Sequence, residues 1–145
     1  MSLSDWLKNG WVTEQKSSRD EIRDLMVVVK RDLHDCRTAG LSSDWRFNIA
    51  YNAALRAATA ALAAAGFRAA REAHHVRVLQ SLAYTIEVDP TYIRRLDTFR
   101  KKRNLASYEI GGSISQQEAE EMAELAEDLC NRVRRWLKSK YPMLL

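Results

Sequence analysis

The sequence predicts an all-α fold, an antiparallel bundle of about five helices, and three observations predict it. Apolar residues recur at three- and four-residue spacing through most of the 145 positions. Only two prolines and five glycines occur, and they fall between the periodic segments. No segment alternates apolar and polar residues in the way of a half-buried strand. Helices joined by short loops pack as up-and-down bundles. A chain of this length buries about 68–70% of its unfolded surface, so one core suffices without a disulfide or a metal. The expected layout is an N-terminal arm, residues 1–17, followed by a helical bundle domain, residues 18–141.

Within the arm, Leu3 to Lys8 reads as a short extra helix. The first bundle helix opens at Ser18, where Ser18-x-x-Glu21 has capping-box spacing. Its stripe is Ile22, Leu25, Met26, Val29, Leu33 and Cys36, and Gly40 ends it. The second helix starts near Ser43 or Asp44 and runs to about Ala65, with Gly66 as its stop. Ile49, Asn52, Leu55, Thr59 and Leu62 mark one stripe, and alanines fill most of the rest. Alanine favours helix and lets neighbouring helices approach. A third helix is expected over 71–86, with Val76, Leu79, Leu82, Ala83 and Ile86 inward. Asp89-Pro90 supplies an N-cap and a first-turn proline for the fourth, which reaches Glu109 or Ile110 and breaks at Gly111-Gly112. A second capping box, Ser115-x-x-Glu118, opens the fifth. Met122, Leu125, Leu129, Val133, Trp136 and Leu137 share its apolar face, and Pro142 ends it.

Composition narrows the chemistry. Cys36 and Cys130 have no second thiol or imidazole at ligand spacing, so they read as reduced thiols rather than a zinc site. No metal and no cofactor is expected. Met1 to Gly10 lacks the apolar core of a secretory signal. The longest uncharged stretch, Ala57 to Phe67, falls short of the ~20 residues that span a bilayer. A cytoplasmic protein without a membrane partner is the expectation. The net charge of +4 and pI of about 9.2 fit a phosphate-bearing partner without requiring one. No Gly-rich phosphate loop, Ser-His-Asp order or pair of catalytic carboxylates is found. The four tryptophans, Trp6, Trp11, Trp45 and Trp136, read as packing residues, with Trp6 and Trp11 placed to cover a groove or dock a partner subunit.

Two charge runs differ in meaning. Glu118 to Asp128 is acidic and Arg132 to Lys140 basic, an order along one helix that the macrodipole favours. Between Arg94 and Arg103 stand six basic residues and one acid, Asp97. At about 100° per residue, Arg94, Arg95, Lys101 and Lys102 point away from the apolar side formed by Tyr92, Leu96, Phe99 and Ile110. Arg103 lies near the centre of that apolar stripe, with Arg100 and Asn104 on its shoulder. An inward arginine must be paired or hydrogen-bonded to escape a penalty of several kcal/mol. Two readings stand side by side: a functional cleft, or a structural pair with Glu109 or with a carboxylate on another helix.

The run Arg100-Lys101-Lys102-Arg103-Asn104-Leu105-Ala106-Ser107-Tyr108 resembles the signature of the HEPN superfamily of prokaryotic helical bundles, an Arg followed by a polar residue and, four to six positions on, a His. Tyr51-Asn52-Ala53-Ala54-Leu55, Ala65-Gly66-Phe67-Arg68 and His74-His75-Val76 with Leu79 are similar to that family's second and third helices. The resemblance spans roughly residues 18–138. It implies a HEPN-like up-and-down bundle that binds RNA or a nucleotide at a homodimer cleft built from Arg103, Asn104 and Tyr108. Arg100 is read as an auxiliary phosphate contact, and His75 as a further candidate for phosphate binding. It further implies a metal-independent, ribonuclease-like toxin or defence component acting with a nucleotidyltransferase partner.

The sequence departs from the family at Tyr108, which stands where its ribonucleases carry His. A tyrosine with a pKa of about 10 is a poor general base at neutral pH, whereas histidine titrates near about 6.5. Arg103 and Tyr108 also lie about 140° apart on an ideal helix. His74 or His75 is the alternative imidazole, and since adjacent residues diverge by about 100°, at most one meets a given cleft. The second expectation is therefore a non-catalytic interaction or regulatory module of the same fold.

Overall fold

The structure is a computed structural model. It describes residues 1–108 and 113–145, the side chains of 105–108 excepted. Its centre is a helix made largely of alanine. α3 (Ser43–Ala64) is flanked by α2 (Arg19–Asp35) and α6 (Gln116–Lys140) along its length, and the shorter α4 (His74–Gln80) and α5 (Pro90–Tyr108) also meet it. This is the expected all-α bundle, completed by α1 (Leu3–Lys8) and two 3-10 turns, Ser81–Ala83 and Pro142–Leu144. No helix among the described residues is long and apolar enough to cross a membrane.

The packing of α3 corrects the sequence reading. Of the expected stripe only Leu62 is buried, while Ile49, Asn52, Leu55 and Thr59 are half-buried. The fully enclosed residues are Phe47, Tyr51 and alanines such as Ala53, Ala57, Ala58 and Ala61. A helix covered on several sides has no single apolar stripe, and methyl side chains let its neighbours close in. From the other side α6 contributes Met122, Leu125, Leu129, Val133 and Leu137, all buried as expected, while Trp136 of the same expected face is half-buried. α2 brings Ile22, Met26, Val29 and Cys36. It also brings a buried carboxylate, Asp32, which accepts from Arg56 Nη1 of α3 at 2.6 Å and from Arg31 Nη2 at 3.2 Å.

Two further corrections concern the chain between α3 and α5. The helix expected over 71–86 is only His74–Gln80, prolonged by the 3-10 turn. Ala73 sits in the left-handed region at φ 52°, where helix cannot propagate, so α4 starts after it. The residues that bury are Val78, Leu79 and Leu82, with Val76 and Ile86 half-buried. A strand pair also exists where none was expected. β1 (Val12–Glu14) and β2 (Phe67–Ala69) run antiparallel, with Val12 opposite Ala69 and Glu14 opposite Phe67. Three residues are too few to show alternation. The ribbon depends on Gly66, whose φ of +96° turns the chain out of α3.

The ribbon fastens the N-terminal arm to the bundle. Trp6 is buried within its own chain, edge-on to Trp11 at 5.8 Å and to Tyr84 at 5.3 Å. The Arg77 guanidinium of α4 lies 3.7 Å from the Trp11 ring centroid. The arm thus steadies the short helix that carries His74 and His75.

Helix starts follow the capping residues. Tyr92 N donates to Asp89 Oδ1 at 2.8 Å ahead of α5. At α6 the box is closed on both sides, Glu118 N to Ser115 Oγ at 3.0 Å and Ser115 N to Glu118 Oε1 at 3.1 Å. Ser115→Ala is expected to lower stability by about 1 kcal/mol, read as a lower urea midpoint at unchanged slope, with Ser115→Asp restoring it. At α2, Ser18 Oγ accepts from Glu21 N, but the Glu21 carboxylate is engaged elsewhere, with Gln15 Nε2 at 3.4 Å. The expected break at Gly111-Gly112, with Glu109 and Ile110, lies outside the described residues.

Candidate functional site

α5 begins as an amphipathic helix. Leu96 and Phe99 are buried and Tyr92 half-buried, with Phe99 edge-on to Phe47 of α3 at 5.7 Å. One turn further along the same side stands Arg103. It is half-buried and its Nε is shielded from solvent. Its guanidinium carbon lies 5.2 Å from the ring centroid of Tyr51, which is fully enclosed in α3. A cation over an aromatic face at this distance contributes about 0.5–2 kcal/mol.

Tyr51 links the arginine to α4. Its hydroxyl lies 3.4 Å from His75 Nδ1, and the two ring centroids are 6.2 Å apart. The cluster is therefore Arg103 of α5, Tyr51 of α3 and His75 of α4, assembled within one chain. Arg100 and Asp97 of α5 border it electrostatically.

Burial and cationic neighbours set the protonation states. Burial pushes the Tyr51 phenol up to about 12, against the opposing pull of Arg103 and Arg100, so it stays protonated at neutral pH. His75 is pushed the other way: burial lowers it first, and Arg103, His74 and Arg100 lower it further. Its imidazole is accordingly neutral near pH 7. With the ring proton on Nε2, Tyr51 donates to Nδ1 and His75 offers an N–H. With the proton on Nδ1, His75 donates to the phenol oxygen and Nε2 carries a free lone pair.

The lowered His75 has a stability consequence whose sign is fixed. An unfolded imidazole titrates at about 6.5. Below that pH the unfolded chain binds more protons than the folded one, so the stability contributed here falls on acidification and is level above. The His75 Cε1–H resonance is expected to titrate below 6.5 in the wild type. In Arg103→Gln the midpoint should move upward, because one of the two arginines depressing it is gone. A midpoint that does not move would separate the two residues electrostatically.

Arg100, the expected auxiliary phosphate contact, already has a partner. Its Nε donates to Asp97 Oδ1 at 2.8 Å, and Lys101 Nζ approaches Oδ2 at 3.3 Å. Burial raises the Asp97 carboxyl, but the hydrogen bond and charge of Arg100, with those of Lys101, outweigh it and hold the group below the usual carboxylate range. Asp97 thereby offsets one positive charge of the Arg100–Lys101 pair. Asn104 is half-buried beside Arg103, and the Tyr108 side chain lies outside the described residues. Arg94, Arg95 and Lys101 are exposed as expected, and Lys102 is half-buried and pairs with Glu118 at 3.1 Å.

Among the described residues no group of His, Cys, Asp and Glu comes together that would hold a metal ion. The arrangement instead suits an oxyanion. An inward cation and a neutral imidazole stand at one place, the enclosed Tyr51 hydroxyl lying against the imidazole.

Sequence reasoning missed Tyr51 as a site residue. One signal was available: a tyrosine inside a run of alanines must bury, and a buried hydroxyl requires a polar partner. No family model, curated protein or solved structure matches the chain.

Proposed function

We propose that the chain is a HEPN-type protein that binds RNA or a nucleotide through its phosphate at the Arg103–Tyr51–His75 cluster. The observation that carries this reading is the inward turn of Arg103 onto Tyr51, whose hydroxyl meets a neutral His75. Arg103 is the phosphate contact, since a guanidinium fork matches phosphate oxygens in pairs. His75 takes the role that the resemblance gives to an imidazole and that Tyr108 is ill suited to fill. In cleavage, Nε2 of His75 accepts the ribose 2′-hydroxyl proton while the 2′-oxygen bonds to phosphorus. The 5′-oxygen then leaves and is protonated by water. No metal takes part in this scheme.

The basic excess of the chain supports an anionic ligand. Guanidinium and imidazole come from one chain, so phosphate binding does not wait on dimerisation. A homodimer would bring two Arg103-Asn104 pairs together, and a nucleotidyltransferase partner would find in Tyr108 a hydroxyl to modify. A binding module without catalysis is the second reading, favoured by tyrosine at position 108.

Fluorescence anisotropy with a short labelled single-stranded RNA, beside gel-based cleavage, tests the proposal on wild type, Arg103→Ala and His75→Ala. Binding lost in Arg103→Ala with cleavage lost in both variants is the expected result. Binding without cleavage by the wild type selects the module. No binding and no cleavage by the wild type rejects the proposal.

A further inference from the structure

A cavity of about 270 Å³ lies among α2, α3, β2 and α4, and none of Arg103, Tyr51 and His75 lines it. Leu25, Leu62, Phe67 and Val78 give it an apolar lining. Three polar groups on that lining share a property that follows from their hydrogen bonds. Thr59 spends its hydroxyl proton on Leu55 O at 2.8 Å, so its oxygen can only accept. His74 Nδ1 lies 3.1 Å from Ala70 O. A carbonyl accepts only, so Nδ1 carries the proton, and in the Nδ1–H tautomer the ring presents Nε2 as an acceptor. Glu21 is a carboxylate, and rather than closing the cap of α2 it accepts from Gln15 Nε2, another lining residue. The lining also includes Arg68, whose side chain is exposed and whose charge water screens.

We infer that this cavity binds a small organic cation, an amine or amidine carried on an apolar body. Three acceptors around an apolar wall call for a ligand that brings donors, and the Glu21 carboxylate calls for a positive one. The volume lies just under the ~300–1,000 Å³ of small-molecule sites, which limits the occupant to a single small metabolite-sized molecule. The inference is independent of RNA binding, because none of Arg103, Tyr51 and His75 lines the cavity.

Isothermal titration calorimetry of the full chain with benzamidine tests it, with benzamide as the neutral probe of nearly the same shape. Benzamidine should bind saturably at one site, and benzamide at least tenfold more weakly. Glu21→Gln, which keeps the shape and removes the charge, should weaken benzamidine at least tenfold, and Thr59→Val should weaken it severalfold. Circular dichroism melts of both variants check that the fold is kept. Absence of saturable benzamidine binding, equal affinity for benzamide, or unchanged affinity in a folded Glu21→Gln protein would each overturn the inference.

Discussion

Arg103→Ala is expected to weaken binding of single-stranded RNA at least tenfold and to remove any cleavage, while costing the fold little. The two effects separate because the arginine does different things in each. In the folded protein it lies on the Tyr51 ring, an interaction of about 0.5–2 kcal/mol. Toward a phosphate it would supply two parallel charge-assisted hydrogen bonds in a partly desolvated place, where such bonds are about twice as strong as neutral ones. Arg103→Lys should fall between, since an ammonium keeps the charge but loses the planar fork. The salt dependence gives an independent readout. Removing one phosphate-contacting cation should reduce the slope of log affinity against log salt by about one. Lys101→Ala is the comparison, because Lys101 is exposed and held by Asp97. Equal RNA affinity in wild type and Arg103→Ala would remove the arginine from the site.

The reach of the sequence can be judged element by element. α2, α5 and α6 were legible because each begins at a serine or aspartate whose side chain accepts from the backbone three residues on. The stripe of α6 was legible too, since one side of that helix faces the core and the other water. α3 was harder. Its environment is apolar nearly all round, so the sequence carries no moment and the alanines, not Ile49 or Leu55, mark its buried side. α4 was overextended because Ala73 adopts a left-handed conformation that nothing in its residue type announces. The inward position of Arg103 followed from spacing alone. Its companions did not, because Tyr51 and His75 reach it through tertiary packing between helices far apart in sequence. The likeness of 100–108 to a known signature drew attention to Tyr108, whereas the imidazole that meets the cluster belongs to α4.

Phe47→Ala is expected to be among the most damaging substitutions in the chain, lowering stability by about 3–5 kcal/mol. For a domain near 150 residues each kcal/mol shifts Tm by about 2–4 °C, so the melt should fall by roughly 6–20 °C. α5 presents few apolar side chains to the core among its described residues. Among its described side chains, the inward side holds only Leu96 and Phe99 as buried apolar residues, and it turns cationic at Arg100 and Arg103. Phe47, fully enclosed, is the aromatic partner of Phe99 and so clasps α5 to α3. Alanines elsewhere on α3 offer α5 little to grip. If the clasp matters as a pair, Phe47→Ala and Phe99→Ala combined should cost less than their separate costs added, a coupling of about 0.5–1.5 kcal/mol. Losing it should also loosen Arg103 from Tyr51, so the His75 resonance should titrate closer to 6.5 in Phe47→Leu, a variant that still folds. Additive costs and an unmoved His75 midpoint would mean that α5 is held by its ends, with the aromatic pair contributing burial alone.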